Sequence, residues 1–201
     1  TNLPDNINGL SNKSVVLKRT KKRVPHVSHN SGNNNWYTPG KYIEAAKDVM
    51  DDIDLDPASS VIANKTVGAK KFYTEEQNGL TKPWSGRVWM NPPYSQPLIK
   101  QFSDKLVEEI KNNKIAQAIV LVNNATETKW FQKLFIISSA VCFPKPRIKF
   151  LDIYGNVTGS GPTQGQSILY FGNNQRNFSE VFNKFGIILW NKDKTKSTPL
   201  R

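Results

Sequence analysis

The sequence is poor in residues that form covalent or metal-based cross-links. Its 201 residues include one cysteine, Cys142, and two histidines, His26 and His29. A single cysteine excludes an internal disulfide framework, and these three side chains are too few for a structural zinc site. No apolar run approaches the roughly 20 residues of a membrane-spanning helix, and no export leader is recognisable. These absences predict one globular domain in the cytoplasm.

Acidic residues are also scarce. Against 28 Lys and Arg there are 16 Asp and Glu, which gives a net charge of +12 and favours a polyanionic partner, most often nucleic acid. Residues 1–35 carry +5 and residues 184–201 carry +4. Such ends either bind phosphates or are solvated extensions, and the sequence leaves both readings open. The N-terminal cations that we predict to contact DNA are Lys18, Arg19, Lys21, Lys22 and Arg23.

A smaller cationic group lies inside the chain. Lys145, Arg147 and Lys149 alternate with Ile148 and Phe150. In a strand this alternation places the three cations on one face and the apolar pair on the other. That face would suit a phosphate backbone, although an ordinary solvated strand face has the same pattern.

The periodicity predicts a basic arm over 1–35, an α/β domain over 36–190 and a basic tail over 191–201. Within the domain, helical patterns at 41–50, 58–64, 97–112 and 128–135 alternate with strand patterns at 53–57, 71–73, 87–90 and 115–122. This alternation favours a mostly parallel sheet with helices on both faces. Strand-like runs at 141–143, 148–151 and 166–171 predict a C-terminal antiparallel hairpin.

The tetrapeptide Asn91-Pro92-Pro93-Tyr94 directly follows the apolar strand at 87–90. It could be only a rigid turn, but ligands of open α/β sheets bind beyond the carboxyl ends of strands. An amine on an aromatic ring is a poor nucleophile because its lone pair is delocalised. The Asn91 side-chain oxygen and the Pro92 carbonyl can accept the two hydrogens of such an amine. Pro93 stiffens the backbone, and Tyr94 can stack on the aromatic ring that carries the amine.

With this motif in place, the sequence resembles the phage-type DNA N6-adenine methyltransferases, amino-methyltransferases that use S-adenosylmethionine and have the Rossmann-like class I fold. The resemblance spans about 36–189. It rests on an ordered set of blocks: Trp36-Tyr37-Thr38-Pro39, Asp54-Leu55-Asp56-Pro57-Ala58-Ser59, Val67-Gly68-Ala69-Lys70, Gly79-Leu80 with Trp84, Asn91-Pro92-Pro93-Tyr94-Ser95, Phe143-Pro144-Lys145 with Arg147, and Gly165-Gln166.

The resemblance implies an enzyme that flips adenine out of DNA and methylates its N6 amine, with the chain associated with nucleoid or phage DNA. It assigns catalysis to Asn91, Pro92, Pro93 and Tyr94. It assigns S-adenosylmethionine binding to Trp36, Tyr37, Thr38, Pro39, Asp54, Asp56, Pro57, Ala58, Ser59 and Asn78, where Glu75 and Glu76 are alternatives to Asn78. We expect double-stranded DNA to contact Ser95, Asn124, Lys145, Arg147 and Lys149.

The sequence departs from the usual class I pattern in two ways. The stretch Pro57-Ala58-Ser59-Ser60 contains no glycine where a glycine-rich turn is common. The interval from Asp56 to Asn91 is short, so we expect one crossover to be reduced to a loop. There is no room for a separate target-recognition domain, and sequence readout is expected from loops around Ser95, 123–128 and 154–166.

Several alternatives stay open at the level of sequence. Asp54 and Asp56 could bind a divalent metal, although a strand end followed by proline favours a cofactor loop and we predict no metal. The same tetrapeptide occurs in enzymes that methylate guanine amines in RNA or glutamine in proteins. An inactive DNA-binding module with this fold is a further alternative.

Overall fold

The computed structural model describes residues 36–157 and 163–191. Within them the helices are Gly40–Met50 (α1), Val61–Val67 (α2), Leu98–Lys111 (α3), Lys129–Ile137 (α4) and Gln175–Phe182 (α5). The strands are Leu55–Asp56 (β1), Lys71–Phe72 (β2), Gly86–Met90 (β3), Ile115–Asn123 (β4), Ala140–Pro144 (β5), Gln166–Phe171 (β6) and Gly186–Trp190 (β7). The predicted arm, with Lys18, Arg19, Lys21, Lys22 and Arg23, and the tail beyond Asn191 lie outside the described residues.

The strands form one mixed sheet in the order β2-β1-β3-β4-β6-β5-β7. Pairings among β1, β2, β3 and β4 are parallel, whereas β6 is antiparallel to both β4 and β5, and β7 is antiparallel to β5. Five strands therefore run one way and two the other. The predicted Rossmann-like α/β class with a C-terminal antiparallel hairpin is confirmed, and the antiparallel part is larger than expected.

The core has two layers, one on each face of the sheet. Side chains of β4 alternate between them, since Ile119 and Leu121 pack with α1 and α5 while Val120 and Val122 pack with α3 and α4. Helix α1 buries one face, and its buried residues include Tyr42, Ala45, Ala46 and Val49, which are spaced three or four apart or adjacent. Helices thus cover both faces, as the alternating pattern indicated.

One predicted strand is wrong. Of the segment 148–151, only Leu151 pairs with other backbone, in isolated bridges to Tyr37 and Val157. Pro146 has no N–H to donate to a ladder, and the N–H of Ile148 donates to the Gln166 side chain at 2.9 Å instead. The alternation in burial still holds, because Ile148 and Phe150 are buried and the three cations are exposed.

Two boundary differences have local causes. Helix α2 begins at Val61 rather than 58, since the Ser60 Oγ accepts from the backbone N–H of Ala63 at 3.0 Å and caps the helix there. Helix α5 and strand β7 were not predicted. Among α5 residues, Phe178 and Phe182 are fully buried one helical turn apart within a polar segment.

The topology brings several loops to one end of the sheet. β1, β3, β4 and β5 all end there, and β6 begins there, so the segments 57–60, 91–97, 124–128 and 145–157 emerge side by side. Tyr37 crosses the same end, exchanging backbone hydrogen bonds of 3.1 and 2.9 Å with Leu151. This end of the sheet is where the chain can assemble a site.

Candidate active site

Asn91 is the first residue after β3, and its side chain is held from both sides. Its Nδ2 donates to Thr38 Oγ1 at 3.2 Å and to the Trp36 carbonyl at 3.4 Å. Its Oδ1 accepts from the Tyr94 hydroxyl at 2.7 Å. A backbone carbonyl only accepts hydrogen bonds, so the amide nitrogen must face Trp36 and the oxygen must face the opposite way. The Asn91 side chain therefore presents an oriented acceptor.

Tyr94 has its hydroxyl inside the site. The hydroxyl also lies 3.4 Å from the Leu121 carbonyl, and the ring packs against the apolar layer beneath α3 and α4. Burial raises the pKa of Tyr94 far above its usual value, so the phenol remains a neutral donor at working pH. The Asn91 Oδ1 keeps a second lone pair for another donor. Pro92 is buried and Pro93 is half-buried between them.

The segment 36–39 closes over Asn91 from the α1 side. Thr38 is 8% exposed and accepts from Asn91, and Pro39 is the residue that precedes α1. The Trp36 ring meets the Phe150 ring edge-on, with centroids 6.1 Å apart. The predicted Trp36-Tyr37-Thr38-Pro39 block and the predicted catalytic motif are thus brought together.

Asp56 is a buried carboxyl near the same end. Leu55 lies level with Val88 across the parallel pair, so Asp56 lies level with Trp89, two residues before Asn91 on the same face. The Asp56 Oδ1 accepts from the Ala58 N–H at 3.2 Å. Burial raises the pKa of Asp56 to about 7, against the lowering influence of Ser59 and the Ala58 N–H. This carboxyl is poised to change charge near neutral pH.

Ser59 adds a buried hydroxyl next to Asp56. Its Oγ makes no hydrogen bond of ordinary geometry within the described residues, but it lowers the pKa of the Asp56 carboxyl. This hydroxyl can bond to a further polar group that enters the site. Pro57 is buried and Ala58 is half-buried beside these two side chains.

Asp54 lies away from the end of the sheet that carries Asn91. Its carboxylate accepts from the Arg87 backbone N–H, Nε and Nη2 at 3.0, 2.8 and 3.0 Å, and pairs with Lys70 at 2.9 Å. The Arg87 guanidinium holds the pKa of Asp54 well below its usual range. Four residues of strand, about 13 Å, separate Arg87 from Asn91. The structure does not bring Asp54 to the Asn91 end.

Asn78 is exposed, as are Glu75 and Glu76. Asn78 has φ of 50° and accepts from the Leu80 N–H at 3.2 Å, which starts the short 3-10 turn Gly79–Thr81. The following Gly79 lies against the 57–60 loop, since a Cβ there would stand 2.0 Å from the Pro57 carbonyl oxygen. No pattern in the sequence predicts this contact. A glycine of a later segment thus packs directly against the backbone of the glycine-free 57–60 loop.

The remaining predicted DNA contacts surround the same end. Ser95 follows the motif and is half-buried. Asn124 follows β4, where its backbone N–H donates to the Gly165 carbonyl at 2.8 Å and its Oδ1 accepts from the Ser167 hydroxyl. Lys145, Arg147 and Lys149 are exposed on the segment that leaves β5. We call these three side chains the cationic ridge.

Gln166 is a residue whose role the sequence did not reveal, although it belonged to a quoted block. It is 2% exposed. Its Oε1 accepts from the Ile148 N–H at 2.9 Å, and its Nε2 donates to the Gln164 carbonyl at 2.7 Å and to Asn123 Oδ1 at 3.4 Å. One buried amide thus joins the end of β4 to the cationic ridge.

Three further observations concern metal binding, membrane helices and the single cysteine. Among the described residues, no group of three or more His, Cys, Asp or Glu side chains is arranged to hold a metal ion, and no helix there is long and apolar enough to cross a membrane. Cys142 is buried, and burial raises the pKa of its thiol to about 12, so it packs as a small apolar residue.

Comparison with known proteins places these features in a family. The sequence model of the DNA N-6-adenine-methyltransferase (Dam) family matches residues 26–194. A DNA N-6-adenine-methyltransferase of Escherichia phage T1 is 36% identical over 98 residues, covering 48% of this chain and 38% of that protein. One of Haemophilus phage HP1 is 33% identical over 133 residues, covering 64% of this chain and 71% of that protein. The chain therefore spans well under half of the first relative and most of the second.

Proposed function

The chain belongs to the DNA N-6-adenine-methyltransferase (Dam) family, and on this basis we propose that it methylates the N6 amine of adenine in double-stranded DNA with S-adenosylmethionine as donor. The reaction class is that of the family. To this reaction class our proposal adds the identity of the methyl donor, the duplex form of the DNA and the roles of individual residues. The observation that carries the residue roles is the Asn91 amide, fixed through Nδ2 so that Oδ1 faces away from the N-terminal segment.

In this proposal Asn91 and Pro92 orient the target amine. The Asn91 Oδ1 and the Pro92 carbonyl accept the two amine hydrogens, which holds the nitrogen lone pair in a defined direction. S-adenosylmethionine supplies an electrophilic methyl on a sulfonium. Since an amide oxygen is a weak base, the amine proton leaves to water after transfer, and no ionised side chain is needed. Tyr94 stacks on the base, and Pro93 keeps the turn rigid.

The residues around β1 fit a cationic cofactor. S-adenosylmethionine carries an ammonium and a sulfonium, and the buried Asp56 carboxyl offers the opposite charge. The buried Ser59 Oγ offers a hydrogen-bonding group next to it. We assign cofactor binding to Asp56, Ser59 and Thr38, with Trp36, Tyr37, Pro39, Pro57, Ala58 and Asn78 as further lining residues. Asp54 is left out, because Arg87 and Lys70 already satisfy its carboxylate.

The charge distribution supports a nucleic-acid substrate at the same end. The cationic ridge of Lys145, Arg147 and Lys149 would contact the phosphate backbone beside the flipped adenine, with Ser95 and Asn124 nearer the bases. The arm cations Lys18, Arg19, Lys21, Lys22 and Arg23 stay predictions. We propose accordingly that the protein acts in the cytoplasm, on nucleoid or phage DNA.

The test is methyl transfer from radiolabelled S-adenosylmethionine to unmethylated duplex DNA, with RNA and protein as parallel acceptors and digestion to nucleosides. Label is expected in N6-methyladenine. Asn91→Ala should lose most turnover and keep cofactor binding by calorimetry. Asn112→Ala is the matched control, since Asn112 is exposed beyond α3. Unchanged transfer in Asn91→Ala would overturn the mechanism, and absent cofactor binding in the wild type would favour an inactive DNA-binding module.

A further inference from the structure

A short hairpin stands beyond the sheet end that carries Asn91. Its ends meet where Leu151 bridges to Val157, and Leu151 also pairs with Tyr37. Three apolar side chains of this hairpin face solvent: Ile153 is 50%, Tyr154 82% and Val157 51% exposed. Tyr154 is the most exposed large apolar side chain in the described residues. The proposed catalysis uses none of the three.

The tip of this hairpin is held by its own hydrogen bonds. The Gly155 N–H donates to the Asp152 carbonyl at 3.1 Å, and the Asp152 Oδ1 accepts from the N–H groups of Tyr154 and Asn156 at 2.8 and 2.9 Å. Gly155 has φ of 83°, the left-handed conformation that closes a three-residue hairpin loop. Tyr154 is thus displayed on an ordered turn, and its exposure favours a partner that covers it.

The position of the tip indicates what that partner is. Leu151 pairs with Tyr37, and the next residue, Thr38, bonds to Asn91. Three residues separate Leu151 from Tyr154, at most about 11 Å of chain. The cationic ridge precedes the hairpin in the same segment, so the surface offers positive charge next to an aromatic side chain. That combination suits a nucleic acid, with phosphates on the cations and a base against the ring.

We propose that Tyr154 enters the base stack at the position that the flipped adenine vacates, and that it stacks there on the neighbouring bases. Flipping leaves a gap whose lost stacking is the main cost of extruding a paired base. An inserted side chain recovers part of this cost and keeps the adenine from returning. This proposal rests on the proposed function, since it requires a target adenine that starts inside a duplex.

The test compares Tyr154→Ala, Tyr154→Phe and the wild type on three DNA substrates of one sequence. These are a matched duplex, a duplex with the target adenine opposite an abasic site, and a single strand. Tyr154→Ala should lower kcat/KM on the matched duplex at least tenfold and change it less than about threefold on the single strand. Tyr154→Phe should behave like the wild type, because stacking does not use the hydroxyl. Ile136→Ala, a 69% exposed position on α4, is the matched control.

A second readout follows the base directly. With 2-aminopurine at the target position, wild-type protein should raise fluorescence on the duplex, and Tyr154→Ala should raise it much less while binding S-adenosylmethionine equally. Equal losses on duplex and single strand, or no loss on either, would overturn the role of Tyr154. Wild-type protein that methylates single strands but not duplexes would instead contradict the duplex substrate of the proposed function, and this proposal with it.

Discussion

Replacing Asp56 with Asn should make the protein more stable at alkaline pH and less able to bind its cofactor. Burial raises the pKa of this carboxyl from 3.8 to about 7. Between these values the folded protein keeps a proton that the unfolded chain has released. The free energy of unfolding therefore falls as pH rises through this window and is level above it.

The expected size follows from the two pKa values. Their difference corresponds to about 4 kcal/mol, the largest amount by which ionised Asp56 can destabilise the fold. Asn has nearly the same shape, keeps an oxygen for the Ala58 N–H and does not ionise. Asp56→Asn should therefore match the wild type at about pH 4, and exceed its unfolding free energy by roughly 2–4 kcal/mol at about pH 8.

Urea denaturation at several pH values measures this difference, and calorimetry with S-adenosylmethionine measures its functional counterpart. Because the ionised carboxylate would pair with a cationic cofactor, wild-type affinity should rise as pH increases through 7, and Asp56→Asn should bind weakly throughout. A stability difference independent of pH would refute the assignment of the raised pKa. Tight cofactor binding by Asp56→Asn would refute the role of Asp56 in the site.

Substitutions at three further positions test the catalytic motif, the Gly79 contact and the Asp54–Arg87 ion pair separately. Tyr94→Phe removes the donor to Asn91 Oδ1 but keeps a ring to stack, so steady-state kinetics should show a lower kcat with nearly unchanged KM for DNA, whereas Tyr94→Ala should raise KM. Gly79→Ala places a methyl 2.0 Å from the Pro57 oxygen, and denaturation should show a loss of about 1–3 kcal/mol together with weaker cofactor binding. Arg87→Ala leaves the Asp54 carboxylate without its main partner, which should cost about 1–3 kcal/mol while kcat at saturating substrates stays near that of the wild type. An Arg87→Ala protein with intact stability would contradict the structural role of this pair.

The placement of the site was predictable because it follows from strand direction. Parallel strands end at one edge, so an apolar strand followed by Asn91-Pro92-Pro93-Tyr94 can be assigned to the ligand-binding end from the sequence alone. Thr38 and Asn91, whose side chains are in contact, are 53 residues apart in the sequence. The family resemblance assigned Thr38 to the cofactor, and the contact itself was not predicted, since no local pattern signals a pairing at that separation.

The different environments of the Asp54 and Asp56 carboxyl groups were not predictable from the sequence. Two carboxylates at alternate positions share one face of a strand, and what separates them is depth along the sheet. Asp54 meets Arg87, which is 33 residues away, while Asp56 meets no cation within the described residues. The wrong strand at 148–151 has a similar cause. Alternating burial is the signal for a strand, and here a single buried glutamine side chain holds the segment in place of a ladder.

Gln166 fixes the distance between the end of β4 and the cationic ridge, as well as the position of the segment around Ile148. Gln166 is bonded at once to the end of β4 and to the backbone at Ile148, between two cations of the ridge. Neither the ridge nor the strand end can slide without breaking a bond inside the protein. In the proposed complex this link would hold a constant distance between a phosphate on the ridge and the amine at Asn91, so the register of the DNA on the surface would select the base that reaches Asn91.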